Sequence, residues 1–285
     1  MKKKFLKINL SKLINVVDYF LLPIKFIFIK FYLIQKKPFS TGYNFYKWNR
    51  ILKQINKNKI DINIENAEGL DERIVEYPWV INELKKLNGN LLDAGSTINF
   101  PEILNKIKKK FSITIQTLYP ENYCNFEDGI SYLYSDLTKQ TFKENHFDVI
   151  TCISTLEHVG FNVDIYKNSN NKKKIGLNNN LYLNVIKNFK IILKKNGVLL
   201  LTLPYGKHEK FKHLQQFDKN MIDSIIKIFN PKKYDKKFSV YKNFKWQTCS
   251  ELDCKNINFR KFSKKKSYDN AASARSIIML KLINK

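Results

Sequence analysis

The stretch from Asn90 to Glu121 constrains the fold more than any other part of the chain. It reads NLLDAGSTINFPEILNKIKKKFSITIQTLYPE: a short apolar run with Asp93 near its end, a turn through Gly95, a helix-like segment and a second run rich in β-branched residues. A strand, a tight turn, a helix and another strand in this order predict a βαβ unit with parallel strands. Ligands of such units bind in the crevice beyond the carboxyl ends of the strands, so the turn from Asp93 to Thr97 is a candidate ligand site. An ordinary βα connection explains the turn equally well, because the glycines of a full G-x-G-x-x-G motif are missing.

The chain continues with further strand-like runs that end in polar residues. The first strand is predicted over Leu91 to Ala94 and the second over Phe111 to Leu118; the third is the run ISYLYSDL and the fourth the apolar run VITCI. Uninterrupted apolar runs of this kind are typical of parallel strands that are buried on both faces. Parallel strands end at the same edge of a sheet, so one rim is expected to collect their polar ends. The residues expected on this rim are Asp93, Thr117, Asp136, Ser154, Thr155, Glu157 and His158.

The second half of the chain predicts the remaining elements of one sheet. An amphipathic helix is expected to begin near Leu181, and a fifth strand is expected from Val198 to Pro204. The runs FSVYKN and SIIMLKLI are expected to pair like a hairpin at one edge. Pro78 is expected to open the helix that precedes the first strand, since proline fits the first turn of a helix.

The net charge of the chain is unusually positive and allows two interpretations. The 285 residues carry a formal net charge of +26, which ordinarily indicates a nucleic acid or an anionic membrane surface as partner. Lys, Asn and Ile are abundant in every region, however, which favours a general compositional bias over a local binding patch. Nucleic-acid binding is therefore the less favoured reading.

The four cysteines do not form a recognisable metal motif. None belongs to a CxxC pair, and no histidine stands at metal-ligand spacing, so reduced thiols in a reducing compartment are predicted and no metal is assigned. Cys249 and Cys254 are close enough in sequence to form a bridge, to bind a metal or simply to be packed side chains.

The first 34 residues form a basic, aromatic-rich segment. Its apolar run is long enough to span a bilayer, but Asp18, Lys25 and Lys30 oppose spanning, because each charge near the centre costs about 2.5 to 3.5 kcal/mol. The segment is predicted either to lie in the membrane interface or to form a helix packed on the body of the protein. Residues 35–69 are interpreted as a connector or cap, and residues 70–285 as the main domain.

From about Asp71 onward, the order of the motifs resembles the class I S-adenosylmethionine-dependent methyltransferases. LLDAGS resembles their first motif, SDLTKQTFKENHFDVITCISTLEHVG resembles their third-strand acid and fourth strand, and KIILKKNGVLLLTLP resembles the helix, turn and fifth strand that follow. More narrowly, TLYPE, STLEHVG and the LPYGK...QQFD loop look like methyltransferases associated with surface-polysaccharide biosynthesis.

The resemblance implies an α/β, Rossmann-like, seven-stranded and mostly parallel sheet with helices on both faces and an antiparallel last strand, preceded here by the N-terminal helical segment. It also implies S-adenosylmethionine as cofactor, lying across the ends of the first four strands. Asp93, Gly95 and Ser96 would meet its methionine part, Asp136 and Leu137 its adenine, and Ile153 and Ser154 would line the floor. Two positions depart from the family pattern. Thr97 replaces a glycine, and Thr117 replaces the acid that binds the ribose.

Within this resemblance, His158 is the candidate general base, with Glu157 to orient it or to hold the acceptor. A neutral histidine can accept the proton of a hydroxyl as the new bond forms. His158 could equally be a residue packed near the cofactor without proton transfer. The loop after the fifth strand would overhang the acceptor. The residues suited there to sugar hydroxyls are Tyr205, His208, His213, Gln215, Gln216 and Asp218.

Three functional hypotheses follow. The first is O-methylation of a saccharide or glycolipid precursor in the cytoplasm, at the inner face of the membrane. The second is an RNA methyltransferase, which would bind with strong salt dependence. The third is a non-catalytic membrane-surface binding or assembly protein on a degenerate methyltransferase fold, which the departures at Thr97 and Thr117 would allow.

Overall fold

The computed structural model describes residues 41–57, 61–67, 69–121, 124–161, 180–259 and 274–285, with the side chains of 41–45 excepted. The predicted N-terminal segment, residues 1–34, lies outside the described residues. Within the described part of the chain, no helix is both long and apolar enough to cross a membrane.

The described residues form ten strands and six α-helices. The strands are β1 (Gly89–Ala94), β2 (Phe111–Thr117), β3 (Ser131–Tyr134), β4 (Phe147–Ile153), β5 (Leu193–Pro204), β6 (Glu209–Lys210), β7 (Gln215–Gln216), β8 (Lys233–Lys242), β9 (Lys245–Cys249) and β10 (Ser276–Ile283). The helices are α1 (Thr41–Ile55), α2 (Arg73–Leu84), α3 (Pro101–Ile107), α4 (Tyr182–Ile192), α5 (Lys219–Phe229) and α6 (Glu251–Cys254).

Eight of the strands form one sheet in the order β3-β2-β1-β4-β5-β10-β8-β9. Strands β1 to β5 are mutually parallel, as the sequence predicts. The last strand, β10, is antiparallel to both β5 and β8, which confirms the predicted direction. The fold is therefore an α/β, Rossmann-like fold with a mostly parallel sheet.

The predicted strand number is wrong, because the main sheet contains eight strands rather than seven. The additional strand, β9, pairs antiparallel with β8 and occupies the edge, so β10 lies inside the sheet rather than at its border. Trp246 is the buried residue of β9 and donates its indole N–H to the Leu70 carbonyl at 3.0 Å. With a single fully buried side chain, β9 has almost no apolar pattern that a sequence analysis could detect.

One predicted helix start is also wrong. Helix α2 begins at Arg73 and carries Pro78 in its interior, because Ile74 and Val75 are fully buried and hold the preceding turn against the core. The helix-like segment predicted after Gly95 is present as α3, which begins at Pro101, where proline occupies the first turn.

The two faces of the sheet carry separate apolar cores, which confirms helices on both faces. Helices α1, α2 and α3 pack on one face, and α4 and α5 pack on the other. Ile51 and Ile55 of α1, together with Ile64, are almost fully buried in the first core. The connector proposed for residues 35–69 therefore contributes a helix and core residues to the described structure.

Candidate functional site

A cavity of about 420 Å³ lies at the carboxyl ends of β1 to β4. Its volume is within the range of small-molecule sites, roughly 300 to 1,000 Å³. The wall contains residues that follow each of the four strands. They are Gly95 and Thr97 after β1, Thr117 to Glu121 at and after β2, Ser135 to Thr138 after β3, and Ser154, Thr155 and His158 to Phe161 after β4, with Gln116, Arg73 and Leu181 completing the lining.

The turn after β1 needs glycine at its first position. Gly95 has a φ of +112°, and a Cβ at this residue would lie 2.3 Å from the Thr155 hydroxyl oxygen. The absence of a side chain lets the segments that follow β1 and β4 approach each other beside the cavity. Ser96 also has a positive φ, 57°, and its buried hydroxyl oxygen has no hydrogen-bond partner. A buried polar atom without a partner is costly. Ser96 itself does not line the cavity, although Gly95 and Thr97 on either side of it do.

Asp93 holds the turn from beneath. Its carboxyl group accepts hydrogen bonds from the Ile98 amide at 2.9 Å, the Thr151 hydroxyl at 3.1 Å and the Thr97 hydroxyl at 3.2 Å. Burial raises the pKa of Asp93 to about 7, although the three hydrogen bonds act in the opposite direction and lower it. Asp93 is fully buried and does not line the cavity, so its evident effect is to fix the turn that carries Gly95.

The residues predicted to meet ribose and adenine lie side by side. Thr117 ends β2, and Asp136 and Leu137 follow β3, the neighbouring strand; all three line the cavity. One oxygen of Asp136 accepts from both the amide and the hydroxyl of Thr138 at 2.8 Å, which fixes the carboxyl group at the cavity wall. Ile153 is fully buried in β4, and Ser154, which follows it, borders the cavity.

A buried polar network lies beneath the rim, and the sequence analysis missed it. Arg73 of α2 donates to Glu76 at 2.8 Å, and the other oxygen of Glu76 accepts from the hydroxyls of Ser154 and Thr202, both at 2.6 Å. Arg73 also donates to the Ile153 carbonyl at 3.4 Å and lines the cavity. Burial is the largest single influence on Arg73 and lowers its pKa, but Glu76 and the other acidic groups around it together raise the pKa by more, so the guanidinium remains charged. Helix α2 is thereby tied to the ends of β4 and β5.

Two further carboxyl groups near Arg73 are buried. Burial, reinforced by Asp71 and Glu76, raises the pKa of Glu72 to about 8. Burial likewise raises the pKa of Glu157 to about 8, although Arg73 opposes the shift. One carboxyl oxygen of Glu157 is buried without a partner. Both groups are consequently neutral in the folded protein at pH 7.

His158 combines exposure to the cavity with a defined tautomer. Its Nδ1 is 2.8 Å from the His213 carbonyl oxygen, and since a carbonyl only accepts, Nδ1 carries the hydrogen. Burial lowers the pKa of His158, so the ring is neutral at pH 7 and its lone pair lies on Nε2. This is the electronic state required of a general base.

The predicted acceptor residues are not brought to the cavity as a group. Tyr205 is fully buried and donates its hydroxyl to Glu251 at 2.9 Å, and Gln215 is also fully buried. His208 lies 2.9 Å through Nδ1 from the Gln216 carbonyl in the small β6–β7 sheet. None of these side chains lines the cavity, and His213 reaches the site through its backbone carbonyl. Within the described ranges, no cluster of three His, Cys, Asp or Glu residues could hold a metal ion.

Neither models of known protein families nor curated protein sequences match the chain. Solved structures do resemble it. The 1,6-didemethyltoxoflavin-N1-methyltransferase of Burkholderia thailandensis, with bound 1,6-didemethyltoxoflavin and S-adenosylhomocysteine, is 8% identical and has a TM-score of 0.45, covering 73% of this chain and 76% of that one. The N-methyltransferase NodS of Bradyrhizobium japonicum, in complex with S-adenosylhomocysteine, is 11% identical and has a TM-score of 0.41, covering 84% and 98%.

A third solved structure with a similar score has a different activity in its name. The [4+2]-cyclase SpnF is 13% identical, with a TM-score of 0.40, and covers 60% of this chain and 65% of that one. Scores this low carry no argument about activity. The observed strand order by itself defines a Rossmann-like fold.

Proposed function

We propose that the protein transfers a methyl group from S-adenosylmethionine. The observation that carries the proposal is the cavity at the carboxyl edge of four parallel strands, where a glycine turn, Thr117 and Asp136 converge. In an open α/β sheet this edge is where nucleotide-like ligands bind. The unpartnered hydroxyl of Ser96, between the lining residues Gly95 and Thr97, supports the fit, because a rotation of this side chain toward the cavity would let a polar ligand supply its missing hydrogen bond.

The lining suggests how each part of the cofactor would be held. Gly95 and Ser96 would bind the methionine part, and Thr117 would hydrogen-bond the ribose. Asp136 and Leu137 would bind the adenine, with Ser154 at the floor and the buried Ile153 packed beneath it. Asp93 would act indirectly, by holding the turn. When bound, the sulfonium of the cofactor supplies an electrophilic methyl group.

We propose a saccharide hydroxyl, on a sugar or glycolipid precursor of surface polysaccharides, as the acceptor. A sugar hydroxyl is a weak acid, so its attack gains from a base that removes the proton as the bond forms. His158 lines the cavity, and in its neutral tautomer the hydrogen is on Nδ1, so Nε2 is the basic ring nitrogen. Glu157 is buried and does not line the cavity, so of its two predicted roles it would position the ring rather than hold the acceptor. Alignment of the hydroxyl behind the methyl group would supply much of the rate.

Cofactor binding is tested by calorimetric titration with S-adenosylmethionine and S-adenosylhomocysteine. Asp136→Ala should weaken binding at least several-fold, because a charge-assisted hydrogen bond is worth about 1.5 to 3 kcal/mol. Thr117→Asp should tighten it, since a charged acceptor binds hydroxyls more strongly than a neutral one. Exposed Glu144 provides the control, and its alanine variant should bind like the wild type. A folded wild-type protein that does not bind either compound would refute the proposal and favour the non-catalytic hypothesis.

The role of His158 is tested separately with His158→Gln. Methyl transfer is measured as S-adenosylhomocysteine released in the presence of nucleotide-activated sugars and oligosaccharides. The variant should bind the cofactor normally but turn over on the order of 10²-fold more slowly, the usual contribution of a positioned base. Near-normal turnover with normal cofactor binding would remove His158 as the base.

We also propose that residues 1–34 place the enzyme on the inner face of the membrane. The support is the sequence of the segment, in which lysines alternate with long aromatic and aliphatic runs. Sedimentation with anionic vesicles should be lost when these residues are deleted. Unchanged sedimentation of the shortened protein would contradict this placement.

A further inference from the structure

The thiols of Cys249 and Cys254 lie in direct contact, away from the cavity. Cys249 ends β9, Cys254 ends the single turn of α6, and their sulfur atoms are 2.9 Å apart. Cys249 is partly exposed, whereas Cys254 is fully buried. Neither residue lines the cavity, so this pair has no part in the proposed methyl transfer.

The backbone between the two cysteines holds them in this position. The Ser250 hydroxyl accepts from the Asp253 amide, and the Asp253 carboxylate accepts from the Ser250 amide at 2.9 Å, so the two residues form a capping box. The carbonyl of Cys254 also accepts from the Ile257 amide at 3.0 Å. Because this turn is already ordered, little conformational entropy remains to be lost when the two sulfurs join.

A metal is a poor explanation of the contact. Two thiolates bound to one tetrahedral zinc ion, each at about 2.3 Å, would be about 3.8 Å apart. The observed sulfur–sulfur distance of 2.9 Å is shorter than the distance expected at a zinc site and longer than a disulfide bond, which is about 2.05 Å. The two sulfurs need to move together by less than about 1 Å to form that bond.

We propose that Cys249 and Cys254 are a modification site that forms an intramolecular disulfide with a low-molecular-weight disulfide such as oxidised glutathione. The Cys249 thiolate attacks the glutathione disulfide and releases one glutathione thiolate, leaving a mixed disulfide on Cys249. The Cys254 thiol then loses its proton to solvent and attacks the Cys249 sulfur, which expels the second glutathione thiolate. The two protein thiols are oxidised, and one glutathione disulfide is reduced to two thiols.

The local electrostatics suit this order of attack. The hydrogen bond from the Cys254 thiol lowers the pKa of Cys249, in spite of its partial burial, and so favours the thiolate on the more exposed residue. The same hydrogen bond, with burial, raises the pKa of Cys254, which therefore acts second. Reaction requires both thiolate character and access, and Cys249 has both.

The sequence makes the test direct, because one tryptic peptide, Trp246–Lys255, contains both cysteines. The folded full-length protein is incubated with oxidised glutathione, alkylated, digested and analysed by mass spectrometry. The wild-type peptide should lose the mass of two hydrogens, lose alkylation at both cysteines, and recover both on treatment with dithiothreitol.

Variants separate the two steps of the reaction. Cys254→Ala should stop at the glutathione adduct of Cys249, and Cys249→Ala should react little, because Cys254 is buried. Cys124→Ser is the matched control and should form the Trp246–Lys255 disulfide as the wild type does. The proposal is overturned if the wild-type peptide accumulates the same glutathione adduct as Cys254→Ala, or keeps both thiols open to alkylation. Neither the mass of the peptide nor its alkylation depends on cofactor binding or methyl transfer.

Discussion

Replacing Glu157 with Gln should make the protein more stable at alkaline pH. Glu157 is fully buried, and burial raises its pKa from 4.5 to about 8. At about 1.4 kcal/mol for each unit, ionising this carboxyl in the folded state opposes folding by up to roughly 5 kcal/mol. This is an upper bound, because local opening that admits water to the carboxylate costs less than full desolvation. Glutamine has nearly the same shape and cannot ionise.

The sign of the pH dependence follows from the two protonation states. Below about pH 4.5 the Glu157 carboxyl is protonated in both the folded and unfolded protein, and it contributes no pH dependence. Between that pH and about 8, only the folded protein holds the proton, so the wild type loses stability as pH rises. The difference in free energy of unfolding between Glu157→Gln and wild type should therefore grow over this window and then level off.

Urea unfolding monitored by tryptophan fluorescence, from about pH 5 to about pH 9, measures this difference directly. Glu72 and Asp93, whose pKa values are also raised, affect both proteins and cancel to first order in the comparison. Glu144→Gln, at an exposed position, should show a difference that does not vary with pH. A flat difference for Glu157→Gln as well would refute the conclusion that Glu157 is buried and neutral at pH 7.

Two further pairs of substitutions test the architecture of the rim by urea unfolding. Gly95→Ala should destabilise the protein by clearly more than the roughly 1 to 2 kcal/mol that an alanine at positive φ costs, because its Cβ would lie 2.3 Å from the Thr155 hydroxyl oxygen. Gly129 also has a positive φ, but no atom lies within 4 Å of the position of its Cβ. Gly129→Ala should therefore show only the cost of the backbone conformation. Glu76→Ala should cost about 3 kcal/mol or more, because Arg73 would keep its charge without its partner. Thr202→Val should cost only about 1 kcal/mol, because Ser154 still donates to Glu76 and the Ser154 amide still has the Thr202 carbonyl as an acceptor when the Thr202 hydroxyl is removed. Equal effects within either pair would contradict the corresponding contacts.

The sequence could predict β1 and β4 because each contains a buried apolar run with a polar residue at or just after its end. Strand β4 shows this best: the run from Val149 to Ile153 is fully buried, and Ser154 emerges directly at the cavity. The rim from Gly95 to His158 followed from the same logic, since parallel strands must end at one edge. In these segments, the local apolar pattern of the sequence correctly indicates where the end of the strand lies in the sheet.

The network under the rim could not be predicted in the same way, because its contacts join residues far apart in the chain. Glu76 meets Ser154 and Thr202 at separations of 78 and 126 residues, so no local pattern reveals the pairing. One signal was present: Glu72 and Glu76 stand four residues apart, on one face of a helix, beside the apolar residues of α2. Carboxyl groups on a buried helix face need hydrogen-bond donors or cations as partners. Arg73, which lies between the two glutamates in the sequence, is such a cation.

The position of this network explains why the ligand edge can be rigid while lined by turns. Ser154 has a φ of 40°, a conformation that costs free energy for a residue with a side chain. Its hydroxyl bond to Glu76 and its amide bond to the Thr202 hydroxyl at 3.1 Å hold the residue in place from below. Arg73 links the same helix to the Ile153 carbonyl. The cavity floor is therefore fixed by α2 rather than by the sheet alone, so substitutions in this helix should alter ligand binding even where their side chains do not reach the cavity.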